Sequence, residues 1–563
     1  MNKYSEERKQ QQALGFVPSW MTTQGYQLFV EKYLWANNVF EQYSAIASAA
    51  AKHLQGTMWE EEAVDKFTDL LWNGWLSPST PILANMGTDR GLPVSCSGGY
   101  INDSIDGFYT ARRETAILTK YGFGTSGYLG DIRSRGAPIS IGGKASGVLP
   151  VFKGFVRDMQ EVSQGATRRG AWAGYLPITH ADFDELCDLL HHTPDDLNVG
   201  WCIADDFIAD LEAGNLEALR RFQKSLKVKM ITGKGYYFKV DEANRHSPQC
   251  YKDSGLDIKA SNLCTEIMLH SSEEYTFTCV LSSMNLAKWD EWVDTDAVFW
   301  ATLFLDCVAS EFIEKAKGIS GLEKAVAFTE KGRALGLGAC GFHTLLQQKG
   351  IPFESLQAQF LNDKVFQKLK WDSYSASMDM ADILGVPEWG QTNNTLRFRN
   401  THLMAIAPTK STALIMGGIS EGINPDPAVV FSQNTSAGEV ERITPVFLQL
   451  MKDKGVYDKK HIKEIEDAFG SCQHVSWLSE EEKLVFKTAF EIDMHVVNRL
   501  ASQRQKYIDQ GQSLNHFFGS DATEEYISSV YKELFLDKNL LSSYYAYSSA
   551  NVAGSDGECM SCQ

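Results

Sequence analysis

From Trp75 onward the chain alternates short apolar runs, broken by Gly and Pro, with stretches of helical spacing at 103–119, 148–163, 181–193 and 289–316. Strands that alternate with helices of that length bury a sheet beneath helices, so the pattern predicts the α/β class. Before it, residues 28–74 carry apolar side chains at helical spacing, from Leu28 and Phe29 through Leu54 and then Ala63, Phe67, Leu70 and Leu71. That spacing predicts a helical N-terminal layer. The chain has 563 residues. Single cores stop growing at roughly 250–300 residues, so one large core with appendages, or several domains, is expected. The segment from Ser549 to Gln563 is small and polar and ends in Cys-Met-Ser-Cys-Gln. The expected organisation is a helical region over 1–75, an α/β body over 76–548 and a flexible tail over 549–563.

Composition narrows the function classes. A net charge of −18 argues against binding a nucleic-acid backbone, which works through Lys and Arg on phosphates. No apolar run reaches the roughly 18 residues of a membrane span, and the charged start, Met1 to Lys9, lacks the apolar core of a secretory signal. A cytoplasmic protein is expected. Eleven cysteines, an odd number, in a long chain without a secretory signal are not a disulfide framework. Some should be chemically active and most should be ordinary buried thiols.

Four cysteine settings stand out. In Ser261-Asn262-Leu263-Cys264-Thr265-Glu266-Ile267, Asn, Cys and Glu alternate, and an extended chain would point all three to one face. A carboxylate beside a thiol disfavours the thiolate, which suits a hydrogen-atom donor better than a nucleophile. The plainer reading is a buried structural cysteine whose polar neighbours face solvent. Cys96 lies beside Gly98-Gly99 and Cys279 lies in an apolar run; either position also suits a core thiol. Cys559-Met560-Ser561-Cys562 ends the chain after the Gly-containing stretch 553–557. It reads as a mobile dithiol, since a zinc site needs four ligands and no second Cys-x-x-Cys exists. No cluster has convincing metal spacing. Gly122-Phe123-Gly124-Thr125-Ser126-Gly127 satisfies G-x-G-x-x-G, but a helical pattern precedes it and no acidic residue answers it near Gly147. A nicotinamide or flavin enzyme is therefore disfavoured.

Taken in order, these segments resemble ribonucleotide reductases. The Asn262-x-Cys264-x-Glu266 stretch is similar to the family's active-site loop, and Leu76 to Leu83, with Thr80, resembles its substrate-side strand and loop. Ser95-Cys96 and Cys279 fall where the two redox cysteines are expected. Pro408-Thr409-Lys410-Ser411-Thr412-Ala413 resembles the phosphate-binding turn, with Asn424-Pro425 following; Lys410 departs from the acidic residue of some relatives. Asp103-Ser104-Ile105, Arg133 and Ile139 resemble the specificity-effector site, although charged residues there also suit a solvated face. Gln164 to Gly170 resembles the loop that links effector to substrate choice, with a second Arg that varies from the pattern. Tyr544-Tyr545 matches the adjacent pair of class I enzymes; without that context the two would be core or interface aromatics.

The resemblance implies a ten-stranded α/β barrel of two antiparallel five-stranded halves with Cys264 on a central loop. It implies a class I catalytic subunit that reduces ribonucleoside diphosphates to deoxyribonucleotides. Cys264 as a thiyl radical would remove the 3′-hydrogen, Glu266 would act as general base, and Asn262 would hold the ribose hydroxyls. Cys96 would protonate the leaving 2′-hydroxyl, and with Cys279 it would become a disulfide, reduced through Cys559 and Cys562 by thioredoxin or glutaredoxin. Tyr544 and Tyr545 would relay a radical from a separate small subunit, leaving no covalently bound cofactor in this chain. Nucleoside triphosphates would act as effectors at the interface of a homodimer, and the short N-terminal region implies no ATP-binding helical module. The rival readings are an adenosylcobalamin-dependent class II enzyme, which needs no tyrosine relay, and an inactive reductase-like barrel. The other six cysteines, Cys187, Cys202, Cys250, Cys307, Cys340 and Cys472, match no motif and are expected to be structural.

Overall fold

The protein is seen in a computed structural model that describes residues 3–164, 168–391, 397–435 and 438–549. The expected N-terminal layer is present as helices α1 (Thr23–Lys32), α2 (Val39–Ala51) and α3 (Glu60–Trp72). Thr22 and Asn38 cap the first two by accepting from the Gly25 and Glu41 amides, which satisfies donors that the first helical turn leaves free. The buried face of α3 is Ala63, Phe67, Leu70 and Leu71, the same residues whose spacing predicts the helix. The helical stretches of the α/β region appear as α4 (Ile105–Lys120), α5 (Val148–Glu161), α6 (Phe183–His192), α7 (Leu216–Thr232) and α8 (Ala297–Ala316). The N-terminal layer packs on α8, with Phe67 and Phe304 edge to face at 5.2 Å.

Nine strands form one sheet: β1 (Leu76–Pro78), β2 (Cys96–Tyr100), β3 (Gly124–Tyr128), β4 (Trp172–Pro177), β5 (Val199–Ile203), β6 (Tyr236–Lys239), β7 (Phe277–Asn285), β8 (Leu335–Cys340) and β9 (Ser542–Ser543). Strands β2 to β6 are mutually parallel neighbours. Strand β7 runs antiparallel to β2 and also to β1, and β8 runs parallel to β7. Two halves of opposite direction therefore meet at the β2–β7 seam. Beyond β8 the wall continues through single parallel bridges, Leu337 to Met404 and Ile406 to Gln512. It returns to β6 through β9, where the Tyr544 amide donates to Leu514 O at 2.8 Å. The α/β barrel thus has its two antiparallel halves, but the implied ten strands are met by nine paired strands plus bridged segments.

Strand burial on both faces explains why the sequence shows apolar runs rather than clean alternation. In β4, Trp172 and Leu176 join the helix-facing core, whereas Ala173 and Tyr175 join a second core inside the barrel. In β7, Cys279 and Leu281 face inward and Val280 faces the helices. The glycine-rich decoy lies at the entry to β3, after helix α4, and not at a strand-to-helix turn. A Cβ on Gly127 would meet Ile101 at 2.9 Å and the Trp172 ring at 3.0 Å, so close packing accounts for that glycine. No described helix is long and apolar enough to cross a membrane.

Candidate active site

Residues 261–267 cross the barrel interior, tied to both walls by side chains. Ser126 on β3 donates to Ser261 O at 2.8 Å, and the Tyr175 hydroxyl on β4 donates to Asn262 O at 2.6 Å. From the opposite wall, Ser513 Oγ donates to Cys264 O at 2.7 Å, Ser542 Oγ to Thr265 O at 2.9 Å, and the Gly511 amide to Glu266 O at 2.8 Å.

The expectation of an extended segment is corrected here. Leu263 to Thr265 form a turn, with Thr265 at φ +67°, a conformation that side-chain-bearing residues rarely adopt. The turn is pinched shut from within: Thr265 N donates to Asn262 O, Ile267 N to Asn262 Oδ1, and Ser261 Oγ to Ile267 O. Strand alternation presupposes a neighbouring strand to ladder against, and this loop has side-chain anchors instead. Asn262, Cys264 and Glu266 still converge, through the turn rather than through the period of a strand.

The Tyr544 hydroxyl donates to Cys264 Sγ at 3.4 Å, Asn262 Nδ2 donates to Cys96 Sγ at 3.4 Å, and Ser513 Oγ donates to Glu266 Oε2 at 3.0 Å. Cys96 and Cys279 are direct partners in the β2–β7 register, and both are free thiols. Directly opposed residues on antiparallel strands have Cβ atoms roughly 4.5–5.5 Å apart, and a disulfide needs about 3.5–4.5 Å. A small closing movement joins them. Gln510 Nε2 donates to Cys279 Sγ at 3.5 Å. Burial pushes the Glu266 carboxyl up to about 7, against hydrogen bonds from its own amide, Asn262 and Ser513. Burial likewise pushes the Cys279 thiol well above its ordinary value, with Gln510 opposing the shift. A thiol held protonated is a hydrogen-atom and proton donor, not a nucleophile.

Tyr544 and Tyr545 have ring centroids 4.2 Å apart, and Tyr236 on β6 packs at 4.7 Å and 5.4 Å from them. Tyr547 continues the row at 5.7 Å from Tyr545. Sequence reasoning missed Tyr236, Ser513 and Gln510, because a buried strand aromatic and loop amides carry no local mark of the site they reach.

The residues expected on the substrate side flank the wall strands. Thr80, buried, opens the short helix that follows β1, and Ser95 directly precedes Cys96. The hydroxyls of Ser95 and Thr265 are buried with no hydrogen-bond partner. Pro408 and Thr409 lead from the bridged wall segment into helix α9 (Lys410–Ile415), which holds Ser411, Thr412 and Ala413. Thr409 takes the left-handed conformation, φ +55°, and its hydroxyl accepts from the Gly422 amide at 2.9 Å. Lys410 faces Glu421: burial raises that carboxyl, and the charges of Lys410 and Arg442 oppose the shift.

The effector candidates meet at the surface. Arg133 Nε donates to Asp103 Oδ2 at 2.6 Å, and its guanidinium also reaches Pro138 O, next to Ile139. Ser104 caps α4, and Ile105 is 71% exposed. Gln164 and Arg168 are register partners in a short antiparallel pair of two-residue strands; residues 165–167 lie outside the described residues, as do Cys559 and Cys562. The other six cysteines are buried, and burial pushes Cys187, Cys250, Cys340 and Cys472 up to about 12. Such thiols are inert. Among the described residues, His53, Glu311 and Glu314 come close enough to share an ion, but Lys52 and Lys315 already sit on Glu311 at 2.7 and 3.1 Å.

Comparison with known proteins agrees with this geometry. The all-alpha domain of ribonucleotide reductase matches residues 19–91, and its barrel domain matches 94–223, 212–397 and 388–545. The putative ribonucleoside-diphosphate reductase large subunit of Frog virus 3 is 32% identical over 509 residues, 85% of this chain and 88% of that protein. The vitamin B12-dependent ribonucleoside-diphosphate reductase of Thermoplasma acidophilum is 30% identical over 506 residues, 83% of this chain and 63% of that protein. The solved class Id ribonucleotide reductase alpha subunit of Actinobacillus ureae superposes with a TM-score of 0.85 at 38% identity, covering 97% of this chain and 99% of that one. A barrel seam that opposes two thiols, a central loop that carries a third, and matches spanning both domains lead to one conclusion: the chain belongs to the ribonucleotide reductase family, as a large subunit.

Proposed function

We propose that this large subunit reduces ribonucleoside diphosphates to 2′-deoxyribonucleoside diphosphates by a thiyl radical at Cys264. The observation that carries the reading is the 3.4 Å hydrogen bond from Tyr544 to Cys264, a few side chains from the opposed pair Cys96 and Cys279. Cys264 removes the 3′-hydrogen and Glu266 takes the 3′-hydroxyl proton. Asn262, which now donates to Cys96, holds the ribose hydroxyls. Cys96 delivers a proton to the departing 2′-hydroxyl, which leaves as water; Cys96 and Cys279 supply two electrons and become a disulfide. Cys264 then returns the hydrogen atom to C3′, and the thiyl radical is regenerated for the next cycle. Positioning of acid, base and hydrogen donor around one sugar supplies much of such a rate enhancement. The orphaned hydroxyls of Ser95 and Thr265 suit a polar substrate, since buried hydroxyls ordinarily find a partner. Thr80 and the turn Pro408, Thr409, Ser411, Thr412 and Ala413 take the sugar and diphosphate, with the amides at the start of α9 facing the anion.

The radical comes from a separate small subunit through Tyr545 and Tyr544. The row of rings behind Cys264 favours this over cobalamin, for which no relay is needed. Effector nucleoside triphosphates bind at Asp103, Ser104, Ile105, Arg133 and Ile139 in a homodimer. Cys559 and Cys562 pass electrons from thioredoxin or glutaredoxin. The test is deoxynucleotide formation by the full chain with class I small subunits, or with adenosylcobalamin alone. Activity with a small subunit, lost in Cys264→Ala while nucleotide binding persists, is expected. Turnover by Cys264→Ala overturns the radical assignment, and activity with adenosylcobalamin alone overturns the class.

A further inference from the structure

A lysine with no acidic partner among the described residues is buried behind the tyrosine pair. Lys229, in the last turn of α7, is 0% exposed. Its ammonium donates to Gly235 O at 3.2 Å and to the main-chain carbonyl of Tyr544. It also lies over three aromatic faces, 5.3 Å from the Tyr237 centroid, 5.8 Å from Tyr531 and 5.9 Å from Tyr236. No described carboxylate pairs with it. Every neighbour named presents the negative end of a dipole or a ring face, which favours the cation. Burial alone pulls the ammonium well below its ordinary value. The imidazole of His516, which faces it, is held neutral, lowered to about 3.

Packing does not require a charge here, because a buried lysine costs more than an apolar side chain of the same length. Its contacts converge on the segment that presents Tyr544 to Cys264. The Tyr544 amide donates to Leu514 O at 2.8 Å and the Ala546 amide to Gly233 O at 3.0 Å. The Tyr544 carbonyl is held by Lys229. The main chain of residue 544 is thus fixed at both its polar groups, with the phenol on the Cys264 sulfur.

We propose that Lys229 is a positioning residue for hydrogen-atom exchange between Tyr544 and Cys264. It holds Tyr544 in register with the thiol through the hydrogen bond from its side-chain nitrogen to the Tyr544 carbonyl. The exchange is balanced. The Cys264 S–H bond breaks as the Tyr544 O–H bond forms, and the unpaired electron passes from phenoxyl oxygen to sulfur. The oxidant is the tyrosyl radical delivered from the radical-generating subunit. This inference rests on the relay reading proposed above.

The test uses the full chain with a class I small subunit and compares Lys229→Met, which keeps length and removes donor and charge, with the unaltered protein. Expected are a tenfold or greater fall in kcat with KM and nucleotide Kd within twofold. With Tyr544 replaced by 3-aminotyrosine, the radical trapped at position 544 is expected to be more abundant and shifted in its largest g-value in the Lys229→Met background. A purely structural lysine would leave that spectrum unmoved. Should Lys229→Met lose nucleotide binding, Lys229→Leu, which also removes the donor, makes the same comparison. Tyr544→Phe separates the two claims: turnover by that variant overturns the relay. If Tyr544→Phe is inactive while the Lys229 variant keeps its kcat and an unshifted spectrum, the role of Lys229 alone is overturned.

Discussion

A carboxyl enclosed by Ser513, Asn262 and the loop main chain releases its proton only near neutrality, since burial pushes Glu266 up to about 7. As the proposed base for the 3′-hydroxyl it would work ionised, so kcat/KM is expected to fall about tenfold per pH unit below that value. The same shift acts on stability. The folded protein keeps a proton that the unfolded chain releases near the ordinary 4.5, so stability declines as pH rises from about 4.5 to about 7 and then levels off. The full cost is on the order of 3 kcal/mol. Glu266→Gln, uncharged at all pH, should therefore be inactive yet melt above the unaltered protein at pH 8, with the difference vanishing near pH 4.5. A calorimetric gap that does not change with pH would show that this burial cost is absent. Identifying Glu266 needed only the motif around Cys264; its altered acidity needed the enclosure.

At the scale of elements the decisive pairing is β2 with β7. Cys96 and Cys279 lie far apart in the chain, and neither apolar run announces the other. Register across the seam makes them partners, and Gly98 makes the seam possible. A Cβ there would fall 2.2 Å from the Phe277 ring and 2.6 Å from Ser126 Oγ. Gly98→Ala should push β2 off β7, cost about 1–3 kcal/mol as overpacked cores do, and lower the yield of Cys96–Cys279 disulfide. Peptide mapping after turnover without external reductant measures that yield, and an undiminished linked peptide in Gly98→Ala would contradict the role given to this seam. The helices show the reverse case. The spacing of 148–163 and 181–193 predicts α5 and α6 to within two residues at each end, because an amphipathic helix records its buried face locally. The central loop does not, since its turn is set by anchors on Ser126, Tyr175, Ser513 and Ser542.

At the scale of the whole molecule, the closed wall buries the cysteine pair. Cys96 is 3% exposed and Cys279 is 0% exposed, so an outside reductant could not touch a disulfide between them. Thiol exchange requires contact between sulfurs. In the proposed pathway the tail pair Cys559 and Cys562 would answer that need, so the double variant Cys559→Ser/Cys562→Ser should complete roughly one turnover on its own thiols and then stop with thioredoxin present. Sustained turnover with thioredoxin, read as deoxynucleotide per chain, would remove the tail from the pathway.

The sequence by itself determined the α/β class, the N-terminal helices and, through its motifs, the family, because periodicity and short motifs are local properties of the chain. Tertiary structure alone decided which thiols face each other, how the loop brings Asn262, Cys264 and Glu266 together through a strained Thr265, and that Tyr236 and Lys229 stand behind the tyrosine pair. These depend on register, closure and burial. Each sums contacts among segments remote in sequence, and no single segment records its partner.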